Sequence, residues 1–166
     1  MAWTAPRTWV TGETPTAALF NTHLRDNQLA ATTWQDYTPA WTTDFGGGSN
    51  PSLGDGTITG RYIQAGDLVH AHITLVIGST STAGSGRWQF SLPVTAATEA
   101  SYGPAPFIYK DVGSVVYYWG IVWALGDVAQ IYMNTTSASL GASVAGYPVT
   151  IGAGDIMSTN ITYEAA

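Results

Sequence analysis

Cysteine is absent from this 166-residue sequence, and charged residues are scarce. The absence of cysteine excludes a disulfide framework and a thiolate metal site, and it leaves the redox compartment open. Charged residues make up 10% of the chain, whereas about 25% is usual for a globular domain. We therefore expect a polar surface built mainly from Thr, Ser, Asn, Gln and Gly.

Long apolar runs and clusters of basic residues are also missing. No apolar run exceeds about 11 residues, whereas a transmembrane helix needs about 20, and no basic segment precedes an apolar run near the N-terminus. We expect neither a transmembrane helix nor a signal peptide. The net charge is −6, and the basic residues are scattered along the chain. This distribution argues against nucleic acids and anionic membranes as partners.

Aromatic residues, in contrast, are abundant, with seven Trp and nine Tyr. A single domain of this size has too little interior to hide so many rings, so we expect some of them in an interface between subunits. Aromatic faces also stack on sugar rings, which makes a glycan site the alternative. The candidates for subunit or glycan contact are Trp41, Tyr117, Tyr118, Trp119 and Trp123, and filling of the sandwich core is the other role open to these rings.

The first 33 residues form a unit of their own in this interpretation. The apolar residues of segment 1–12 follow neither a helical nor a strand period, which predicts an extended arm. After this arm, Thr14 is a suitable N-cap for a helix, and Pro15 is suited to the first helical position. From residue 16 to about residue 31, an apolar stripe at helical spacing predicts one short helix. Its members are Ala17, Phe20, Leu24 and Ala31. Because so short a helix is marginal alone, the stripe must pack on its own domain, a symmetry mate or a larger assembly.

Residues 34–166 predict a β domain. The most regular stretch, 60–77, forms two strands around a tight turn at 65–67. The second strand alternates between an apolar and a mixed face, which specifies its register; the apolar face is Val69, Ala71, Ile73, Leu75 and Ile77. Similar alternation predicts strands at 34–43, 87–92, 106–112, 114–125, 127–133, 147–151 and 156–163. Many short strands with Gly-rich turns favour an antiparallel jelly-roll β-sandwich, with an immunoglobulin-like sandwich as the second choice.

Residues with catalytic potential are few. His70 and His72 share one face of a strand, a spacing that a zinc or iron site can use, as in cupins. No Glu follows closely, and His23 lies in the predicted helix, so two ligands remain and we reject a metal role. Most acidic residues lie in turns, where Asp bonds its own backbone. With no Gly-x-Ser-x-Gly elbow and no phosphate loop, we predict a non-enzymatic protein without a cofactor.

Two stretches carry a resemblance to bacteriophage virion proteins. Residues 6–29, from Pro6-Arg-Thr-Trp-Val to Asp26-Asn-Gln-Leu29, resemble the N-terminal segment of short structural proteins of phages that infect actinobacteria. The second stretch resembles the jelly-roll domain of phage fibre, minor tail and capsid-decoration proteins. Its motifs are Tyr37-Thr-Pro-Ala-Trp-Thr42, Asn50-Pro-Ser-Leu-Gly-Asp-Gly-Thr-Ile-Thr-Gly-Arg-Tyr62, Gly66-Asp-Leu-Val-His70 and Trp88-Gln-Phe-Ser-Leu-Pro93.

The resemblance implies a trimeric, non-enzymatic virion protein, made in the host cytoplasm and located on the particle surface. Its partners would be copies of itself and capsid or tail proteins, with an N-terminal anchor whose docking residues are Trp3, Trp9, Phe20 and Leu24. No heptad or β-helix repeat supplies a shaft, so we expect a compact knob, in a capsid decoration or minor tail protein. The alternatives are an adhesin that binds host cell-wall glycan and a metal-dependent, cupin-like enzyme.

Overall fold

The computed structural model describes residues 3–44, 49–98, 104–136, 139–142 and 150–166, which fold mainly as antiparallel β structure after a short helical segment. The helical segment consists of α1 (Ala17–Phe20), a π-helical stretch (Asn21–Asp26) and α2 (Asn27–Thr32). The strands are β1 (Gln35–Tyr37), β2 (Trp41–Thr43), β3 (Thr57–Ala65), β4 (Leu68–Val76), β5 (Trp88–Ser91), β6 (Ala105–Asp111), β7 (Val116–Leu125), β8 (Val128–Thr136), β9 (Ser139–Ala142) and β10 (Ile156–Glu164). The predicted fold class is confirmed, whereas the jelly-roll connections stay a prediction.

The strands pair in one continuous antiparallel path that curls around the core. Its order is β1-β3-β4-β10-β6-β7-β8-β5-β2, and β9 pairs with β8 beside this path. The two ends of the path are close in sequence, because β1 ends at Tyr37 and β2 begins at Trp41. Four Cα steps of about 3.8 Å limit the distance between these two residues to about 15 Å. The predicted strand at 34–43 is in fact two strands, β1 and β2. The segment between them contains Pro39, which has no N–H to donate to a neighbouring strand.

The β3–β4 hairpin forms as the sequence predicts. Ala65 pairs with Leu68 across a two-residue turn, and the first turn residue, Gly66, has a φ of +63°, a conformation that glycine adopts without a Cβ clash. The alternating residues of β4 that were expected inside are all buried. On its other edge β4 pairs with β10, so the C-terminal strand lies in the middle of the path.

The core lies inside the curl. Its largest fully buried side chains are Trp88, Tyr109, Phe90, Phe107 and Ile73. Trp88 and Phe90 point inward as predicted, and Leu92 packs against this core while half-buried. Of the predicted strand at 147–151, residues 147–149 lie outside the described residues, and Thr150 and Ile151 are not in a strand.

The helix starts later than predicted. Thr16, not Thr14, is the N-cap, and its Oγ1 accepts a hydrogen bond from the Leu19 N–H at 3.3 Å. Glu13 belongs instead to a turn of the arm, where its N–H donates to the Val10 carbonyl at 3.0 Å. Since Glu13 is held in this turn, residues 13–15 are not available to begin the helix.

The helix packs on the β domain through α2 and β3. Its buried residues are Asn27 and Ala30, whereas Phe20 and Leu24 of the predicted apolar stripe are 46% and 53% exposed. Phe20 and Leu24 of the stripe therefore remain about half exposed among the described residues. No helix in the described ranges is both long and apolar enough to cross a membrane. The division at residue 33 stays a prediction.

Candidate interaction surface

Strand β7 is apolar on both of its faces. Gly120, Val122 and Ala124 point inward and are buried, as a strand with alternating sides requires. The outward positions are also apolar or aromatic; they are Tyr117, Trp119, Ile121, Trp123 and Leu125. Tyr117 is 63% exposed and Trp119 is 61% exposed. One side of this strand therefore presents large rings to solvent.

The neighbouring strands extend this surface. Ile108 of β6 pairs with Trp119, and Tyr132 of β8 pairs with Ile121. We call the resulting set the aromatic face; its members are Ile108, Tyr117, Trp119, Ile121, Trp123 and Tyr132. If each exposes on the order of 100 Å², the face approaches the upper end of the about 300–600 Å² that the largest apolar patch of a monomer usually covers. Patches of this size usually mark an interaction site.

Charged residues occur only at the margins of this face in the described strands. At one end, the Lys110 Nζ lies 5.8 Å from the centre of the Tyr117 ring. At the other end, the Arg87 guanidinium lies 5.1 Å from the Tyr132 ring and is paired with Asp44. The hydrogen bond to Asp44 raises the pKa of Arg87. The middle of the aromatic face is thus uncharged.

The Asp44 end carries a polar network. The rings of Trp123 and Tyr132 are 5.0 Å apart, centre to centre, and Arg87 donates a hydrogen bond to the Tyr132 hydroxyl. Gln130 Nε2 donates to Asp44 Oδ2 at 2.9 Å. Gln89 Oε1 is buried and has no hydrogen-bond partner among the described residues. Two aromatic rings thus lie next to amide, guanidinium and carboxylate groups at this end of the aromatic face.

The structure separates the five predicted aromatic contact residues. Tyr117, Trp119 and Trp123 lie on the aromatic face. Tyr118 points inward and packs edge-on against Tyr109, with ring centres 6.0 Å apart. Trp41 is 7% exposed and contacts Trp88 in the core at 5.8 Å. Trp41 and Tyr118 therefore pack within the domain.

Three members of the aromatic face were not singled out from the sequence: Ile108, Ile121 and Tyr132. Period-2 alternation through residues 114–125 would have placed Ile121 beside Trp119, since both have the same parity. The other two required the strand pairing, because Ile108 and Tyr132 reach the face from different strands.

The predicted docking residues lie in the arm and the helical segment of the first 33 residues. Trp9 stacks on Phe20 with ring centres 5.7 Å apart, and Arg7 lies over Trp9 at 4.8 Å while paired with Glu13 at 2.6 Å. Leu24 is exposed on the helix. Trp3 lies elsewhere, half-buried beside the turn at Gly66. The structure thus joins Trp9 to Phe20 but places Trp3 apart from them.

The arm is fixed to the helix by Asn27. The Thr4 N–H donates to Asn27 Oδ1 at 2.9 Å, and Asn27 Nδ2 donates to the Thr4 carbonyl at 2.7 Å. Asn27 is 5% exposed, so both bonds are shielded from water. This paired contact sets the direction of the arm along the helix.

The two strand histidines bond to hydroxyl groups. His70 Nδ1 lies 2.7 Å from Thr162 Oγ1, and His72 Nε2 lies 3.4 Å from both Thr74 Oγ1 and Ser158 Oγ. In the described part of the chain, no three His, Asp or Glu side chains are grouped so that they could hold a metal ion.

Comparison with known proteins gives one informative similarity. The chain is 29% identical over 133 residues to the Mu-like prophage FluMu defective tail fiber protein of Haemophilus influenzae, which covers 77% of this chain and 20% of that protein. The chain thus spans about a fifth of the length of this curated relative. No family model matches, and no solved structure gives a significant match. The similarity supports the coarser part of the resemblance, a relation to phage tail proteins; the actinobacterial type of the N-terminal segment stays a prediction.

Proposed function

We propose that this chain is a non-enzymatic structural domain of a phage virion, related to tail fibre proteins, that forms a compact trimeric knob. Copies associate through the aromatic face, and the N-terminal unit docks the knob on the particle. The observation that carries the proposal is the exposed, uncharged aromatic face on β6, β7 and β8. The similarity to a prophage tail fiber protein supports a location on the virion.

The size of the aromatic face suits association between copies. Burying about 500 Å² of apolar surface on each of three copies contributes up to about 37 kcal/mol at about 25 cal/mol/Å². Assembly of a trimer comprises two association steps, each of which costs about 4–15 kcal/mol in lost translational and rotational freedom, and ordering of the interface side chains costs more. The opposing terms are of the same order, so we expect a concentration-dependent trimer that neighbouring copies on a particle stabilise further.

The exposed part of the helix stripe supports docking on a second surface. Phe20 and Leu24 are 46% and 53% exposed, whereas the helix contacts the β domain through α2 and β3. Trp9 extends the stripe by stacking on Phe20. A groove on a capsid or tail protein that accepts an apolar helix would cover these side chains.

Equilibrium sedimentation of the full chain tests self-association. We expect wild-type protein to reach three times the mass of one chain, and Trp119→Ser to shift it toward one. Val10→Ser is the matched control, because Val10 is 68% exposed on the arm and lies outside the aromatic face. A wild-type monomer at high concentration, or a Trp119→Ser variant that still forms trimers, would refute the role of this face.

Docking is tested on particles that lack this protein. Wild-type chain should co-sediment with them, whereas Leu24→Ser should stay in the supernatant. Trp119→Ser, compared at equal concentration, separates a docking defect from an assembly defect. Undiminished binding of Leu24→Ser would contradict the assignment of the helix stripe.

A second candidate function, a glycan-binding adhesin, is favoured by the Trp123 end of the aromatic face. Trp123 and Tyr132 offer rings for stacking on a sugar. The neighbouring Arg87–Asp44 pair, whose side chains are 23% and 20% exposed, offers polar groups for its hydroxyls. Trp123→Ala should abolish binding to purified host-wall polysaccharide, whereas Val10→Ser, outside the aromatic face, should bind like the wild type. Absence of binding by the wild-type chain would remove this candidate.

A further inference from the structure

A second polar site lies on the outer side of β1, β3 and β4, away from the aromatic face. Asp36, Arg61 and His72 are direct cross-strand neighbours and form one row over these three strands. Together with Thr59 and Gly60 they line an open depression of about 260 Å³. A volume of this size accepts a small charged group rather than a large apolar ligand.

Arg61 is held in place without a counter-ion. Its guanidinium lies 4.8 Å from the centre of the Trp34 ring, a cation–π contact that orients the side chain. The ion pairs in the described residues involve Arg7, Arg25 and Arg87, and none involves Arg61. Although Asp36 is its cross-strand neighbour, the two side chains form no ion pair within 4.0 Å. The positive charge is therefore free to bind an anion.

His72 adds an imidazole ring beside the Arg61 guanidinium. Burial lowers the pKa of His72, and the nearby Arg61 and His70 lower it further. Thr74 Oγ1 and Ser158 Oγ, both 3.4 Å from His72 Nε2, add hydroxyl donors next to the ring. A chain with a net charge of −6 thus places an arginine and a histidine side by side, with no carboxylate bonded to either in the described residues.

We propose that the row Asp36–Arg61–His72 binds a hydroxylated oxyanion, meaning a phosphate or carboxylate group that carries a neighbouring hydroxyl. The oxyanion accepts hydrogen bonds from the Arg61 guanidinium and the His72 ring, the usual partners of such groups. The neighbouring hydroxyl donates to the Asp36 carboxylate. Polyol phosphates and sugar acids share this chemistry, and this site does not depend on the role of the aromatic face.

Asp36 sets the specificity in this arrangement. A carboxylate accepts hydrogen bonds only, so it repels a bare anion and favours a ligand with a donor beside its charge. Inorganic phosphate at neutral pH also carries a hydroxyl, but it cannot place that hydroxyl at a distance from the charged oxygens. We therefore expect glycerol 2-phosphate and glucuronate to bind with higher affinity than inorganic phosphate, and we expect no binding of glycerol.

Binding is expected to strengthen as the pH falls. The lowered pKa keeps His72 neutral in the free protein near pH 7, and an anion favours its charged form, so binding takes up a proton. Below pH 7 the affinity for glucuronate, whose carboxylate stays ionised in this range, should rise by up to about tenfold per pH unit until free His72 is protonated. The charged and titratable groups that face His72 are Asp36 from β1, Arg61 from β3 and His70 from its own strand; β10 contributes the uncharged Ser158, Asn160 and Thr162.

Titration of the full chain with these compounds, measured by calorimetry and, where His72 is present, by its ring signals in NMR spectra, tests the proposal. Arg61→Gln should weaken glycerol 2-phosphate binding at least about tenfold, the effect of losing one charge-assisted hydrogen bond. His72→Gln should remove the pH dependence of glucuronate binding, and Asp36→Asn should bring the affinity for inorganic phosphate level with that for glycerol 2-phosphate. Arg25→Gln, which removes an exposed arginine already paired with Asp26, should bind like the wild type.

Several results would overturn this inference. One is the absence of saturable binding by any of the anions at pH 6; another is equal weakening by Arg25→Gln and Arg61→Gln, which would indicate only a general charge effect. Because no residue that lines the depression belongs to the aromatic face, loss of trimers in the Trp119→Ser variant leaves the result unaffected. The two proposals can therefore fail separately.

Discussion

Asp155→Asn is the substitution for which the structure predicts the clearest loss of stability. Asp155 is 2% exposed, and its carboxylate accepts hydrogen bonds from the Gly152 N–H at 2.6 Å, the Val112 N–H at 2.9 Å and the Tyr109 hydroxyl. Burial, together with the hydrogen bond to Asp155, raises the pKa of Tyr109, so its hydroxyl stays protonated and donates. These bonds tie residues 152–155 to β6.

The magnitude follows from what asparagine changes. One carboxylate oxygen becomes an amide NH₂, so one buried backbone N–H loses its acceptor at a cost of about 1–3 kcal/mol. The remaining bonds lose their charge assistance, at about 1 kcal/mol each. We expect a total loss of about 3–5 kcal/mol, and a Tm about 6–20 °C lower at about 2–4 °C per kcal/mol for a domain of this size.

Thermal and urea unfolding, followed by circular dichroism at one protein concentration, measure this loss. The fixed concentration matters because association raises apparent stability. Asp111→Asn is the matched control, since the Asp111 side chain accepts one hydrogen bond, from the Ser114 N–H at 2.9 Å, in a turn; it should cost less than about 1 kcal/mol. A loss below about 1 kcal/mol for Asp155→Asn, or an equal loss for both variants, would refute the reasoning.

Three further predictions concern the arm, acid stability and strand packing. Asn27→Ala removes both hydrogen bonds to Thr4, so amide exchange at residue 4 should accelerate while exchange in β4 stays slow; equal exchange in wild type and variant would contradict the arm contact. Hydrogen bonds from the Thr80 backbone and from the Ser79 and Thr80 side chains lower the pKa of Asp55 to about 2. The free energy by which wild type is more stable than Asp55→Asn should be fully present above the unfolded-state pKa of about 4, and it should be lost as the pH falls through about 2. Urea unfolding of both proteins at several pH values measures this difference. A Cβ at Gly120 would lie 2.0 Å from the Tyr132 carbonyl oxygen, so Gly120→Ala should lower stability by more than about 2 kcal/mol; Gly113→Ala, with no contact below 3.5 Å, should not.

The local β pattern was readable because strand faces alternate. The β3–β4 hairpin, its turn at Gly66, and the inward positions of Trp88 and Phe90 all followed from period-2 alternation and turn chemistry. The same pattern placed His70 and His72 on one face. It did not reveal that Arg61 and Asp36 would lie beside His72, because that row depends on two cross-strand registers.

Other expectations failed where several local signals were equivalent. Thr14 and Thr16 are both suitable caps, and the arm turn at Glu13 decided between them. Trp41 and Trp119 are both strand tryptophans, yet Trp41 packs on Trp88 in the core while Trp119 faces solvent. Since β7 is apolar on both faces, alternation gave no signal for which face would be covered.

The sequence by itself determined the β class, the short N-terminal helix and the register of the central hairpin, because these depend on residues close together in the chain. The tertiary structure alone decided the order of the strand path, the central place of β10, and the gathering of the aromatic face from β6, β7 and β8. Those features are set by pairings between distant segments, and their relative energies come from burial and packing that no local window contains.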